Sequence, residues 1–251
     1  MKLIDFHTHP LLKPANSSLN PNQLESIWKV FLEPETCVQL SKSIQKAIKS
    51  TDKCSQADFT KVTRGGVNGI FIAMGPAERP FFAPNVRNPL VRLVLPKTHY
   101  RLLARSVTGF CMEKINKIMD SIQDLNKPGG VDYFNNELLP EYQYILGQEK
   151  NTSAVNKFRI AKNYSDFKNI VDNEPGTIAV VLTVEGAHSF GNFLSRNDFT
   201  STYDEVQQMS DVLLAEYKFI ENIRKVKTEW KENTPLFVRS EEHTSELQSQ
   251  R

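Results

Sequence analysis

Several features that would quickly place a protein are scarce in this sequence. Its 251 residues include three cysteines, Cys37, Cys54 and Cys111. Their number is odd, their spacing is wide and no C-x-x-C occurs, which argues against a disulfide framework or a zinc ribbon. Reduced thiols in a cytoplasmic protein are the expectation. No apolar run approaches the roughly 20 residues of a membrane span. The amino end does not read as a secretory signal, because Asp5 interrupts the apolar residues after Lys2. An excess of one charge is missing too, with 31 basic residues against 29 acidic ones and a formal net charge of +2. That balance leaves no electrostatic footprint for nucleic acid or an anionic membrane. Gly65-Gly66 is not followed by the G-K-[ST] of a phosphate loop, and no Ser, Cys or Thr sits in a nucleophile elbow.

Hydrophobic residues at 39% are enough to bury a core, and 251 residues suit one large domain. Five apolar runs read as strands: Lys2 to Phe6, Val67 to Met74, Lys157 to Ala161, Thr177 to Val184 and Leu236 to Val238. The fourth, TIAVVLTV, is nearly continuous, as in a strand buried on both faces of a parallel sheet. Helical patterns lie between the runs, over residues 34–50, 98–125, 165–171 (with Ser165 as N-cap) and 202–227. Residues 85–96, with Pro89 and Pro96, read as an irregular insertion. Strands alternating with helices predict an α/β fold with βαβ units and a parallel sheet.

The sharpest motif is Ile4-Asp5-Phe6-His7-Thr8-His9-Pro10. Residues i and i+2 of a strand point to one side, so His7 and His9 project together where the first strand ends. Two converging imidazoles suit zinc or a similar divalent ion. Pro10 stops the strand just after the pair. The second motif, Val184-Glu185-Gly186-Ala187-His188-Ser189, follows the best strand directly. It puts Glu185 at the same end of the sheet as the histidines. A carboxylate there can bridge two cations through its two oxygens. His188 is expected to support the site or to contact substrate rather than to bind metal. His99 is expected to be exposed at a helix start.

With these motifs, IDFHTHP resembles the amidohydrolase superfamily. VLTVEGAHSFGNFL, preceded by GGVNGIFIAMGP, is similar to the membrane dipeptidase family. The resemblance implies a (β/α)8 TIM-type barrel that hydrolyses dipeptides at a site of two Zn2+ ions. His7 and His9 would hold the more buried ion and Glu185 would bridge the pair. The family's usual first motif is H-x-D, whereas this chain carries His9 at the third position. Other amidohydrolases and phosphoesterases also open on a first-strand H-x-H and are the alternative reading. A third is a barrel kept for binding or structure.

The segment Arg239 to Ser249, RSEEHTSELQS, resembles the translation of a sequencing adapter. Residues 1–238 are therefore expected to be the amino-terminal portion of the barrel, cut after about five strands, and residues 239–251 an artefactual tail. On that view His243 is no site candidate, further ligands belong to later strands, and the chain alone is inactive. A homodimer is the expectation for the complete protein.

Overall fold

The computed structural model describes residues 2–30, 42, 57–76, 101–102, 104–105, 108–123, 131–151, 157–193, 218–233, 235 and 237–239. Its centre is a five-stranded parallel sheet. The strands are β1 (Leu3–Thr8), β2 (Val67–Met74), β4 (Lys157–Ile160), β5 (Thr177–Glu185) and β7 (Phe237–Arg239). A separate antiparallel pair joins β3 (Val131–Asp132) to β6 (Asn192–Phe193). All five strands read from the sequence are present, and all lie parallel, as expected.

β5 organises the sheet because it is rich in β-branched residues and buried along most of its length. Its Ala179 to Val184 pair with Gly69 to Met74 of β2 without a break. Ile178, Val180, Leu182 and Val184 form one face with Ile70, Ile72, Met74, Phe158 and Ile160. That face is covered by α1 (Phe59–Arg64) through Phe59 and Val62, and by α3 (Leu139–Lys150) through Tyr142 and Ile145. Ala179 and Val181 belong to the opposite face. There α4 (Tyr164–Asn173) lays down Phe167, Ile170 and Val171, spaced three and four residues apart on one side of the helix. Each such side chain, fully buried, contributes about 1.5–3 kcal/mol.

The helices correct several expectations. α4 starts at Asn163, whose side chain accepts the Asp166 N–H at 2.9 Å, so Asn163 and not Ser165 is the N-cap. The expected helix over 98–125 is not one rod. Among the described residues it is helical at 101–102, 104–105 and 108, breaks at Gly109 to Cys111, and resumes as α2 (Met112–Gln123). α3 was not expected. Its buried side include Glu141 and two tyrosines, so no clean apolar stripe marks it. Of the helix expected over 202–227, residues 218–229 are helical (α5) and the rest lie outside the described residues. So do nearly all of the helix expected over 34–50, the insertion at 85–96, His99, and residues 240–251 with His243. β7 itself runs through Arg239, the first residue of the adapter-like segment.

Strand order carries a further difference. In a barrel built in sequence order, β4 would lie between β2 and β5. Instead β2 pairs with β5 directly, and β4 lies outside β5 along its amino half. β7 takes the same edge of β5 at its carboxyl half. At the carboxyl end the neighbours are therefore β1, β2, β5 and β7, in chain order. α4 lies on the face opposite α1 and α3, so the sheet is covered from both sides. Among the described residues, no helix is long and apolar enough to cross a membrane.

Candidate metal centre

The carboxyl ends of β1 and β5 bring the three sequence-predicted donors together. β1 is irregular between Asp5 and Thr8, where its register against β2 shifts. The Asp5 carboxylate accepts the His7 backbone N–H at 3.1 Å inside this irregularity. Thr8 is buried, while His7 and His9 flank it and turn to the sheet end. The strand stops at Thr8, so His9 lies just past it rather than inside it, one residue short of the end expected just before Pro10.

His7 Nε2 and His9 Nε2 stand 3.1 Å apart, with the two rings edge to face. Glu185 closes the group, with Oε1 3.4 Å from His7 Nε2 and Oε2 2.9 Å from His9 Nε2. The donor atoms of all three residues lie within 4.8 Å of one another. Two nitrogens bound at about 2.0–2.1 Å to one tetrahedral zinc stand roughly 3.3 Å apart. The observed 3.1 Å is near that edge. The donor set, two imidazoles and a carboxylate, is one that catalytic zinc uses while keeping a position open for water. The residues present thus fit a divalent ion. The His7 and His9 side chains are 35% and 42% exposed, so the group opens outward, while Glu185 at 15% is held deeper.

Local structure explains why Glu185 stands still. Gly186 has φ of 75°, a left-handed turn that favours glycine immediately after the strand. Beyond it, Ala187–Phe190 form one 3-10 turn, in which Ser189 is fully buried. The Ser189 hydroxyl donates to the Glu185 carbonyl at 2.6 Å, and its backbone N–H donates to the Gly186 carbonyl at 3.1 Å. Gly75, just past β2, allows the other approach. A Cβ there would stand 2.8 Å from the Glu185 carbonyl oxygen. His188 lies in the same turn, and its side chain is outside what the structure describes.

Electrostatics tune the pair. Burial pulls His9 toward its neutral form, but the hydrogen bond and charge of Glu185, with Glu141 adding its charge, outweigh it and raise the His9 pKa.

Glu141 is the residue that sequence reasoning missed. It lies in α3, 5% exposed, and its Oε2 accepts the Gly75 backbone N–H at 3.0 Å. Burial raises its pKa to about 7, against the pull of Lys114 and the Gly75 hydrogen bond and with the push of Glu137. Lys114 of α2 meets Glu137 at 2.7 Å and also donates to Asn16. This acid cluster lies behind the donors, within electrostatic reach of His9. No sequence pattern flags it, since Gly75 and Glu141 are 66 positions apart.

A comparison of the chain with family models, curated proteins and solved structures finds no match, so the geometry and the motifs stand on their own.

Proposed function

We propose that this chain carries the metal centre of a metal-dependent hydrolase of the dipeptidase type, acting on peptide bonds. The observation that supports it most is the convergence of His7, His9 and Glu185 on one point at the sheet's carboxyl end. That end is where α/β enzymes gather their chemistry. A zinc ion held by these donors supplies a Lewis acid and brings the pKa of water toward neutrality.

The chain's own residues do the rest. His7 and His9 present neutral nitrogens, so His9, whose pKa is raised, gives up its proton when the site loads. Glu185 directs one oxygen to each imidazole, an orientation suited to binding one ion or bridging two. Ser189 and Gly75 hold the Glu185 backbone in place from two sides. The outward opening of the two histidines admits a small substrate. Two ions would ask for donors beyond these three.

The barrel belongs to the same proposal. Its support is the parallel order β1, β2, β5, β7 at the sheet's carboxyl end, where the donors lie; β4, outside β5 rather than between β2 and β5, is the one strand that departs from a (β/α)8 order. A cytoplasmic location completes the reading.

The test is metal loading followed by hydrolysis. The protein is stripped with chelator, reloaded with Zn2+, and offered a dipeptide panel and a phosphate monoester. Metal uptake lost in both His7→Ala and Glu185→Ala is the expected result, and any dipeptide cleavage that the parent shows should be lost with the metal. Unchanged metal content in both variants would sink the proposal. Turnover of the monoester but not of dipeptides would select a phosphoesterase.

A further inference from the structure

We propose that Glu141 is a positioning residue of the metal centre, acting through the Gly75 backbone to set the Glu185 carboxylate. The inference rests on the metal reading above and extends it to a residue outside the donor set.

The chain of contacts is short. Glu141 Oε2 accepts the Gly75 N–H at 3.0 Å. Gly75 packs on Glu185 so closely that a Cβ would meet its carbonyl oxygen at 2.8 Å and its Cβ at 3.4 Å. The exit of β2 therefore touches Glu185, and Glu141 is its anchor from α3. A part-buried N–H left unpaired there would cost free energy, so the anchored path is the favoured one for the chain.

The placement of Glu141 is itself costly without a purpose of this kind. A carboxylate with 5% exposure gives up its water, and Glu137 beside it repels its charge. Lys114 already has Glu137 as its partner at 2.7 Å, so it does not require Glu141.

The experiment compares Glu141→Gln with Glu141→Ala in the 251-residue protein, using Co2+ alone as the probe. Affinity is read by titration, and geometry by the visible absorption of the bound ion. Glutamine keeps an oxygen that can accept the Gly75 N–H, and alanine does not. Changes to groups that orient metal ligands weaken binding about 10–100-fold. We expect the alanine variant to bind Co2+ at least about tenfold more weakly with an altered spectrum. The glutamine variant should restore both affinity and spectrum. An alanine variant with the parent's affinity and spectrum would overturn the proposal, as would equal losses in both variants, which would point to the charge instead. Should the alanine variant fail to fold, Gly75→Ala probes the same contact from its other end. It should weaken Co2+ binding by displacing Glu185, and parent-like binding would overturn the inference. A parent protein that binds no Co2+ would overturn both this inference and the metal reading. Parent binding with an unaffected alanine variant overturns this inference alone.

Discussion

Two clusters of ionisable side chains lie on either side of the β2 exit, and they are built on opposite principles. His7, His9 and Glu185 bring three electron-pair donors to one point that opens outward. Lys114, Glu137 and Glu141 instead bury a fixed cation with two acids. The second arrangement carries its own counter-charge, and its worth is read in folding stability. The first is read in what it binds. Substitutions should therefore separate the two clusters cleanly.

The largest effect is expected from Lys114→Met. It leaves Glu137 and Glu141 buried without their cation, and breaking a buried pair in this way costs about 3–5 kcal/mol of unfolding free energy. Urea denaturation measures it. A loss below about 1 kcal/mol, the range of exposed pairs, would show that the cluster is solvated.

Glu185→Ala should behave in the opposite sense. Zn2+ affinity should fall by more than about 100-fold, beyond the cost of losing a residue that only supports a ligand. Unfolding free energy without metal should change by less than about 1 kcal/mol. Calorimetric titration and denaturation on the same sample check both halves. The same titration repeated toward acid should show affinity falling from above pH 6.5, because the raised pKa of His9 makes protons competitive earlier.

The acid cluster also predicts a pH dependence. The Glu141 pKa is about 7 in the folded protein against an ordinary 4.5. The folded state keeps a proton that the unfolded chain has released between those values. Stability without metal should therefore fall as pH rises from about 4.5 to 7 and level off above, by on the order of 3 kcal/mol. The fall should be missing in Glu141→Gln. A parent protein whose stability rises across that window would show that Glu141 ionises freely.

Ser189→Ala should have the smallest effect. It removes the hydroxyl that holds the Glu185 carbonyl, a bond worth about 0.5–1.5 kcal/mol. A drop in zinc affinity that is smaller than that of Glu185→Ala, seen in parallel titrations, fits its indirect role.

The difference between the clusters is also a difference in legibility. His7 and His9 could be read because strand periodicity places i and i+2 on one side, even though the strand proper ends at Thr8 and His9 lies just past it. Glu185 could be read because the apolar run TIAVVLTV points directly to its carboxyl end. Glu141 could not, because α3 mixes its buried acid with Tyr142, Tyr144 and Ile145 and shows no apolar stripe. Its partner Gly75 becomes a neighbour only when α3 packs on the sheet. The parallel sheet was legible for the same reason as the donors. The pairing of β2 directly with β5 was not, since strand order depends on which long apolar strands pair best and not on their sequence in the chain. The N-cap at Asn163 was missed by two residues because Ser165 has the same capping chemistry.

Zinc stoichiometry after chelation, reloading and gel filtration tests the central claim most directly. The account predicts at least one tightly held Zn2+ per parent chain and none in Glu185→Ala. A parent chain that emerges without zinc, or a variant that retains it undiminished, would contradict the account.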